Sequence, residues 1–248
     1  MTKRVALVTG GNGGIGSAIC RELAARGNLV VAGYFPPEKE SAEAWQQQMA
    51  DQGVSIELAA MDVSSYEDSE RAVNEVAEKF GPVEILVNCA GITRDGTLKK
   101  MPEGNWKAVM ATNLDSAFNT TRHVINGMLD KGWGRIVNIA SVNGQRGQFG
   151  QANYSAAKAG MHGFTMAVAL ETAAKGVTVN TVSPGYIATP MTEAMPEKVL
   201  EAIVNSVPMR RMGKPEEIAS TVAWLASEEN AYTTGANIPV NGGLFTSH

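Results

Sequence analysis

Short runs of apolar, often β-branched residues alternate along the whole chain with longer amphipathic stretches. This alternation is typical of β-α units that feed a parallel sheet covered by helices on both faces. The pattern therefore predicts an α/β fold with a doubly wound, about seven-stranded parallel sheet. The predicted strands cover residues 5–9, 29–34, 55–61, 83–87, 135–140, 177–182 and 237–240.

The amphipathic stretch over residues 64–80 shows how the helices are recognised. Ser64 is followed three residues later by Glu67, a spacing that predicts a capping box at a helix start. Apolar residues then recur at helical spacing, and the face they form is expected to lie on the sheet. That face consists of Ala72, Val73, Val76, Ala77 and Phe80.

No linker or internal repeat interrupts the alternation over the 248 residues, so we expect a single domain spanning residues 1–248. The longest irregular segments are 91–101, 142–153 and 184–195, and each follows a predicted strand. Ligands of open parallel sheets bind beyond the carboxyl ends of the strands. The chemistry of the protein is therefore expected in these three segments.

Composition excludes several classes of function. The formal net charge of −4 and the pI near 5.5 give no basic field that would attract a nucleic acid. Two cysteines and three histidines show neither a disulfide framework nor metal-ligand spacing. There is no signal-peptide pattern, and no run of about 18 apolar residues. We expect a cytoplasmic protein without a metal, a nucleic-acid partner or a membrane partner.

The first predicted strand runs into a glycine-rich turn that is followed by a helical pattern. Residues without Cβ let the backbone approach a pyrophosphate closely, and the helix N-terminus adds partial positive charge. An ordinary tight turn is the alternative, because such turns also occur without a ligand. The candidate cofactor residues here are Gly10, Asn12, Gly13, Gly14, Ile15 and Gly16.

The second predicted strand ends without an acidic residue. A carboxylate there would bind the adenosine ribose of NAD and would repel a 2′-phosphate, so its absence favours NADP, bound as NADPH. Lys39 is the first cation after this strand and could pair with the 2′-phosphate, or be an exposed side chain at a helix start. Asp62, followed by Val63, could accept a hydrogen bond from the adenine or begin a helix.

Tyr154 and Lys158 stand four residues apart in a helical pattern, so both project from one face. A phenol has a pKa near 10, and a neighbouring ammonium favours the phenolate and brings the pKa closer to neutrality. Tyr154 is therefore the candidate general acid, although such pairs also occur on ordinary helices.

Two further residues complete a candidate catalytic group. Ser141 ends the fifth predicted strand and could donate a hydrogen bond to a carbonyl oxygen that gains negative charge. Asn113 lies within a helical pattern over residues 106–130, where an amide is usually a solvated side chain.

In their order and spacing these motifs resemble the short-chain dehydrogenase/reductase family, over essentially the whole chain. The resemblance implies a single Rossmann-type domain. The residues that carry it are Thr9, Gly10, Gly14, Ile15 and Gly16; Asp62 and Val63; Asn88, Cys89, Ala90 and Gly91; Asn113; Ser141; Tyr154 and Lys158; and Pro184 and Gly185.

The resemblance also assigns roles. Tyr154 would donate the proton and Ser141 would steady the carbonyl oxygen. Lys158 would contact the nicotinamide ribose and support the phenolate, and Asn113 would hold a water of the proton relay. The family usually has a second Asn where Cys89 stands, a change that removes no catalytic group.

The remaining cofactor contacts and a lid follow from the same resemblance. The segment after the sixth strand would run beside the nicotinamide, and residues 186–212 would hold the substrate lid, with 191–204 as its mobile part. The implied cofactor residues are Asn88, Ala90, Gly91, Ile92, Tyr154, Lys158, Pro184, Gly185, Ile187 and Thr189.

Within the family the chain is most similar to the bacterial acetoacetyl-CoA reductases of polyhydroxyalkanoate synthesis, over segments 91–95, 132–139, 141–151 and 185–186. This implies NADPH-dependent reduction of acetoacetyl-CoA to the (R)-3-hydroxy product. A 3-oxoacyl thioester of acyl carrier protein is the alternative substrate. A nucleotide-sensing protein without turnover is a further alternative, but such proteins usually lack a residue of the family's catalytic tetrad, and all four are present here: Asn113, Ser141, Tyr154 and Lys158.

Substrate contacts are expected around the predicted catalytic group. The amides of Gln148 and Gln151 could donate to the thioester carbonyl, and Phe149 and Tyr186 could enclose a short acyl chain. Arg94, with Lys99 and Lys100 nearby, could meet the CoA phosphates. An ordinary polar loop is the alternative for each. The candidate substrate residues are Arg94, Ser141, Gln148, Phe149, Gln151, Tyr154, Gly185 and Tyr186.

The resemblance further implies a homotetramer. Trp106, Met110 and Met166 are candidate subunit contacts, with burial in the core as the alternative.

Overall fold

The computed structural model describes residues 3–189, 192 and 196–246. Seven strands form one sheet in the order β3-β2-β1-β4-β5-β6-β7, and every neighbouring pair is parallel. The predicted α/β class and the number of strands are confirmed. The strands are β1 (Val5–Thr9), β2 (Leu29–Tyr34), β3 (Glu57–Ala60), β4 (Ile85–Asn88), β5 (Gly134–Ile139), β6 (Val177–Pro184) and β7 (Asn237–Val240).

Helices cover both faces of this sheet. They are α1 (Gly14–Ala25), α2 (Lys39–Asp51), α3 (Tyr66–Phe80), α4 (Glu103–Met110), α5 (Ser116–Lys131), α6 (Val142–Arg146), α7 (Ala152–Thr172), α8 (Glu197–Ser206) and α9 (Pro215–Leu225). Successive strand residues face opposite sides. In β1, Ala6 and Val8 belong to the core that contains α1 and α9, whereas Val5 and Leu7 belong to the core that contains α3 and α5.

The order of the strands reverses around β1, which lies between β2 and β4. At such a point the connections that leave neighbouring strands diverge and open a crevice beyond their carboxyl ends. The glycine-rich turn follows β1 and the segment 89–101 follows β4, so both lie at this crevice. The fold therefore brings together two of the segments in which the sequence analysis expects chemistry.

The boundaries of four strands differ from the prediction. β4 (Ile85–Asn88) and β5 (Gly134–Ile139) differ by one or two residues at each end. β3 is shorter than 55–61, because its ladder with β2 spans only Glu57 to Ala60. β6 continues to Pro184, which pairs with Val240 of β7. The irregular segment predicted from residue 184 therefore begins at Gly185.

The predicted capping box of Ser64 and Glu67 is wrong. The N-cap of α3 is Ser65, whose Oγ accepts a hydrogen bond from the Asp68 N–H at 3.1 Å. Ser64 instead donates from its N–H and its hydroxyl to Asp62 Oδ1, at 3.0 and 2.6 Å, and so closes the turn before the helix. The predicted buried face is confirmed, since Ala72, Val73 and Val76 are buried and Ala77 and Phe80 are partly buried.

We predict that Gly16→Ala destabilises the fold, because a Cβ at this position would overlap the carbonyl oxygen of Gly10. Overpacking of this kind costs about 1–3 kcal/mol, which urea denaturation would show as a lower free energy of unfolding. Gly104→Ala is the matched control, since a Cβ there meets no atom within 4 Å, and alanine is the better helix former by up to about 1 kcal/mol. Equal stability of the two variants would contradict the prediction.

Candidate active site

The glycine-rich turn leads directly into α1. Gly10 has φ +63°, and its carbonyl accepts a hydrogen bond from the Gly13 N–H at 3.1 Å. Gly13 is the N-cap and provides no side-chain cap, so the first N–H groups of the helix, at Gly14 and Ile15, have no acceptor within the helix. Such N–H groups favour a phosphate. The turn therefore fits the pyrophosphate of a dinucleotide.

Thr9 fixes this turn against the loop that follows β4. Its hydroxyl oxygen accepts hydrogen bonds from the N–H groups of Cys89 and Ala90, at 3.0 and 3.1 Å. Burial raises the pKa of the Cys89 thiol to about 11, so this side chain is neutral at physiological pH. Cys89 therefore fills its position in the loop as an uncharged group.

Asn88 was predicted to contact the cofactor, but its side chain is used inside the protein. Its Nδ2 donates to Asn138 Oδ1 at 2.8 Å and to Thr121 Oγ1 at 3.3 Å, and its Oδ1 accepts from the Thr120 hydroxyl at 2.6 Å. Only the backbone of Asn88 is left for a ligand. The sequence gives no sign of these bonds, because the partners come from β5 and α5.

β2 ends at Tyr34 without an acidic residue, as predicted, but an acid lies in the turn that follows the strand. Glu38 follows the strand by four residues, and its Oε2 accepts a hydrogen bond from Asn12 Nδ2 at 3.2 Å, beside the glycine-rich turn. Lys39 begins α2 as an exposed residue, with its Nζ 3.7 Å from Glu43 Oε1. The turn after β2 thus brings an acidic side chain, Glu38, and a basic side chain, Lys39, to the region where an adenosine ribose would lie.

Asp62 and Val63 have contacts within the protein at the end of β3. Asp62 Oδ1 closes the turn to α3, as the helix-start alternative requires, and the carbonyl of Val63 accepts from Asn119 Nδ2 at 2.9 Å. The turn uses only one carboxylate oxygen of Asp62. The other oxygen can still accept the predicted hydrogen bond from the adenine.

Asn113 lies at a break in the helical pattern predicted over 106–130. α4 ends at Met110, residues Ala111–Asp115 form a π-helical turn, and α5 begins at Ser116. Asn113 has 0% exposure instead of the solvated position typical of a helical amide. Its Oδ1 accepts from the Ile92 N–H and its Nδ2 donates to the Ile92 carbonyl, both at 2.8 Å. The π-helical turn thus binds the loop after β4 through both halves of one amide.

Ser141 is the N-cap of α6, directly after β5. Its Oγ accepts a hydrogen bond from the Asn143 N–H at 3.1 Å. A hydroxyl has one hydrogen and two lone pairs, so this bond leaves the Ser141 hydrogen available for another acceptor. That is the arrangement required for a hydroxyl that steadies a carbonyl oxygen.

The first turns of α7 place Tyr154 and Lys158 on one face, as predicted, with Lys158 Nζ 5.8 Å from the centre of the tyrosine ring. Lys158 is 3% exposed, and its Nζ donates to the Ile139 carbonyl at 2.6 Å. A Cβ added to Gly91 would lie 3.7 Å from this Nζ and 3.3 Å from Asn113 Oδ1. Lys158, Asn113 and the loop after β4 therefore meet at one place.

Burial controls the proton affinity of both residues. It lowers the pKa of Lys158 to about 8. For Tyr154 burial raises the pKa above its ordinary value, and a hydrogen bond with Ser141 acts in the opposite direction. The expected fall in the pKa of Tyr154 is therefore wrong, because Lys158 Nζ is bonded to Ile139 and does not offset the burial of the phenol. Tyr154 stays protonated, which suits a proton donor.

Three of the candidate substrate residues lie on the surface at the rim of this site. Arg94 and Gln148 are exposed, and Phe149 is 87% exposed. Lys99 and Lys100 are exposed as well. These side chains can meet a ligand, although their positions also match ordinary surface loops.

Gln151 is held more firmly than the sequence suggested. Its Oε1 accepts from Asn143 Nδ2 at 3.0 Å, and its Nε2 donates to Asp95 Oδ2 at 2.9 Å. The amide that was expected to serve a thioester carbonyl is therefore engaged at both ends.

The segment after β6 begins at Gly185, which packs closely against Asn241. A Cβ at Gly185 would lie 2.8 Å from Asn241 Cα, so no larger residue fits there. Tyr186 is partly exposed, Ile187 is buried, and Thr189 accepts and donates within the segment, including a bond from its N–H to Thr192 Oγ1 at 2.8 Å. Of the predicted lid, residues 190–191 and 193–195 lie outside the described residues, and the described part contains α8.

Asn153 is a positioning residue that the sequence analysis did not select. It has 0% exposure, its Nδ2 donates to the Arg94 carbonyl at 3.0 Å, and its Oδ1 accepts from the Tyr154 N–H at 2.8 Å. An Asn in the first turn of a predicted helix was the available signal, since such residues often satisfy free N–H groups.

The chain is similar to known proteins over nearly its whole length. A family model described as short chain dehydrogenase matches residues 4–200. An acetoacetyl-CoA reductase of Allochromatium vinosum is 61% identical over 242 residues, which is 98% of each chain. An acetoacetyl-CoA reductase of Cupriavidus necator is 55% identical over 244 residues, 98% of this chain and 99% of that protein. A 3-oxoacyl-[acyl-carrier-protein] reductase of Vibrio cholerae is 47% identical over 242 residues, 98% and 97% of the two chains.

The chain belongs to the short-chain dehydrogenase family.

Membership of the short-chain dehydrogenases makes this chain an oxidoreductase, and it confirms the family resemblance drawn from the motifs. Among residues 3–189, 192 and 196–246, no group of three or more His, Cys, Asp and Glu side chains is gathered as for a metal ion. In the same part of the chain, the helices are too short or too polar to cross a membrane.

Lys158 of this short-chain dehydrogenase is predicted to make the fold more stable as the pH rises from about 8 to 10.5. Its pKa is about 8 in the fold against 10.5 ordinarily, so the unfolded chain binds more protons in this window, and stability rises with pH. The whole shift corresponds to on the order of 3 kcal/mol.

The measurement compares free energies of unfolding of the parent and of Lys158→Met across this range. As the pH rises, the free energy of unfolding of the parent should increase relative to that of Lys158→Met. Lys79→Met, at an exposed position of α3, is the control and should give a smaller change. If the difference in the free energy of unfolding between the parent and Lys158→Met stays constant with pH, the lowered pKa of the buried Lys158 is refuted.

Proposed function

We propose that this protein is an NADPH-dependent reductase of 3-oxoacyl-CoA thioesters, chiefly acetoacetyl-CoA, and forms the (R)-3-hydroxyacyl-CoA used in polyhydroxyalkanoate synthesis. The observation that carries the proposal is the convergence of Tyr154, hydrogen-bonded to Ser141, and Lys158 beyond the carboxyl ends of the strands, next to a turn that fits a dinucleotide. Relatives named acetoacetyl-CoA reductase at 61% and 55% identity support this substrate.

The side chains divide the work of carbonyl reduction. Tyr154 is protonated, because burial raises its pKa, and gives its proton to the substrate oxygen. The Ser141 hydroxyl donates to the same oxygen as it gains negative charge. Bound NADPH would supply the hydride. The result is one hydride on the carbonyl carbon and one proton on its oxygen.

Lys158 and Asn113 hold the surroundings of the phenol. An ammonium has three donors, and one of those of Lys158 is used by the Ile139 carbonyl. The others are available for the ribose of the cofactor. Asn113 fixes the loop at Ile92 from the π-helical turn, which is where a relay water would be held.

A thioester of acyl carrier protein is the second candidate substrate. It is supported by the relative of Vibrio cholerae, whose identity of 47% is lower than that of the two acetoacetyl-CoA reductases. The CoA thioester is therefore favoured. Exposed Arg94 with Lys99 and Lys100 would meet the CoA phosphates at the rim.

We also propose a homotetramer. Trp106 on α4 is 39% exposed and Met166 on α7 is 53% exposed, so these apolar side chains lie on the surface and can serve subunit contacts. Met110 is partly buried and fits the alternative of a core residue better.

The substrate is tested by following NADPH oxidation with acetoacetyl-CoA and with acetoacetyl-acyl carrier protein. We expect kcat/KM to be at least about tenfold higher for the CoA thioester, which corresponds to ~1.4 kcal/mol of differential binding. A preference for the carrier-protein thioester would overturn the proposed substrate but keep the reductase chemistry.

The assay needs a control for the proton donor. Tyr154→Phe keeps the ring and removes the hydroxyl, so turnover should fall roughly 10²- to 10⁴-fold while NADPH still binds. Tyr232→Phe makes the same chemical change at a fully exposed position and should leave turnover unchanged. Near-normal turnover of Tyr154→Phe would exclude the mechanism.

Lys39 provides the test of cofactor preference. We predict that NADPH outperforms NADH, and that Lys39→Ala raises the KM for NADPH about fivefold, the scale of one exposed ion pair, with little effect on NADH. Glu38→Gln should favour NADPH further, because it removes the carboxylate beside Asn12. Side-by-side kinetics with both cofactors measure these effects, and a preference of the parent for NADH would reject NADPH as the cofactor.

A further inference from the structure

The segment after β6 is joined to the loop before α9 through Gly213. The Gly213 N–H donates to the Tyr186 carbonyl at 2.9 Å, and the Gly213 carbonyl accepts from the Ala188 N–H at 2.8 Å. Ile187 and Gly213 thus form an isolated parallel bridge. We call residues 186–189 the strap, because they leave the sheet and are held from outside it. The bridge makes the position of the strap depend on the position of Gly213.

A two-point ion pair fixes the loop that carries Gly213. Arg211 Nη1 and Nη2 donate to Glu217 Oε2 and Oε1, each at 2.7 Å, and Oε2 also accepts from the Lys214 N–H at 2.7 Å. Arg211 and Lys214 lie on either side of Gly213, so one carboxylate binds the loop on both sides of the bridge. The bond from Arg211, followed by that from Lys214, lowers the pKa of Glu217 to about 2. The carboxylate is therefore ionised at the pH of an enzyme assay.

Glu217 stands on a helix that the core holds in place. It lies in the first turn of α9, and Ile218 and Val222 of the same helix have 0% exposure. Both belong to the core that contains α1. A close-packed core leaves little freedom to shift an element that is packed into it. Glu217 thus passes the position of the core to the loop, and Gly213 passes it to the strap.

Packing leaves one side of the strap open. A cavity of about 330 Å³ lies beside it, and residues at the carboxyl end of β7 line this cavity together with Tyr186, Ile187, Arg211 and Glu217. Side chains next to a cavity have no partner atoms on that side. Gly213 is the close neighbour of the strap, because a Cβ there would lie 2.8 Å from Ile187 Cδ1. The strap is therefore held in place chiefly by the contacts of Gly213.

We propose that Arg211 and Glu217 are positioning residues of the reductase: their ion pair fixes the strap, through Gly213, where Tyr186 borders the acyl group and Thr189 borders the nicotinamide. The proposal rests on the proposed function, because Tyr186 and Thr189 have these neighbours only in such a reductase. Arg211 and Glu217 act through the strap and do not touch the reacting atoms.

A direct contact of Arg211 with the CoA phosphates is the competing explanation, because Arg211 is exposed and a guanidinium binds phosphate well. The two explanations predict different effects of Glu217. If the ion pair positions the strap, loss of the carboxylate impairs turnover. If Glu217 only competes for the guanidinium, loss of the carboxylate frees Arg211 and lowers the KM for acetoacetyl-CoA.

The first test measures kcat, KM and the urea midpoint of the full-length enzyme. The substrates are acetoacetyl-CoA and acetoacetyl-pantetheine, which has the same thioester and no phosphate. For Arg211→Met we expect kcat to fall roughly tenfold with both, less than for a fully misplaced catalytic group. The urea midpoint should stay unchanged, because an exposed ion pair adds little stability. Arg26→Met is the control, since it removes an exposed pair with Glu22 on α1, and should leave kcat unchanged.

The second test removes the partner. Glu217→Gln keeps the side-chain shape and loses the charge and one acceptor oxygen, so kcat should fall as in Arg211→Met. The double variant should be no slower than either single variant, because residues that act through one shared contact are not additive. Glu216→Gln removes the same charge from an exposed neighbour in the same helical turn and should change nothing.

The third test needs no turnover. The N–H groups of Gly213 and Ala188 are the two donors of the bridge, and their hydrogen exchange reports local opening. Mass spectrometry of peptides that contain them should show faster exchange in Arg211→Met than in the parent. Arg26→Met should exchange like the parent.

The outcomes separate the hypotheses. The positioning role is overturned by a loss in Arg211→Met that is absent with acetoacetyl-pantetheine, by a lower KM for acetoacetyl-CoA in Glu217→Gln, by additive effects in the double variant, or by unchanged exchange at Gly213 and Ala188. A parent enzyme that reduces neither acetoacetyl-CoA nor the carrier-protein thioester would refute the proposed function instead. The exchange measurement then still decides whether the ion pair fixes the strap.

Discussion

The hydrogen bond from the buried ammonium of Lys158 to the Ile139 carbonyl is the interaction around which the site is organised. A buried charge is tolerated only with hydrogen-bond partners, and the end of β5 provides one. The bond fixes α7 at the carboxyl end of the sheet, and Tyr154 with it. Close packing supports this arrangement, because a Cβ at Gly144 would lie 2.7 Å from the Lys158 backbone, so α6 approaches α7 only where a glycine stands.

Below the site, polar side chains hold α7 to the sheet. Asn138 of β5 and Thr181 of β6 both bond to the Thr165 hydroxyl, each at 2.8 Å, and Asn88 of β4 bonds to Asn138. Hydrogen bonds inside a low-dielectric core are directional, and a missing partner is costly. The network therefore specifies one position of the helix, which apolar packing alone would leave less defined. The candidate catalytic groups lie above this network, while Arg94, Gln148 and Phe149 are exposed at the rim.

The contrast between the buried network and the exposed rim explains why the sequence predicts the reaction more readily than the substrate. The relatives named for a CoA thioester and for a carrier-protein thioester match the chain over nearly its whole length. Both substrates present the same 3-oxoacyl group to the phenol, and they differ only in what lies outside the pocket. Specificity must then come from the surface loops, where charge and shape vary without disturbing the buried base.

The sequence by itself determined the fold class and the seven strands, and it selected the candidate catalytic group, because periodicity and the spacing of glycines, Ser141, Tyr154 and Lys158 are local properties of the chain. The same reasoning placed the cap of α3 one residue too early, since Ser64 and Ser65 are equivalent until the turn at Asp62 forms. Only the tertiary structure decided the buried position of Asn113, the acid that Glu38 brings to the glycine-rich turn and the internal use of Asn88 and Gln151. Each of these depends on a partner from a distant part of the chain. The rise in the pKa of Tyr154 has the same origin, because burial is a property of the packed molecule and no spacing of residues encodes it.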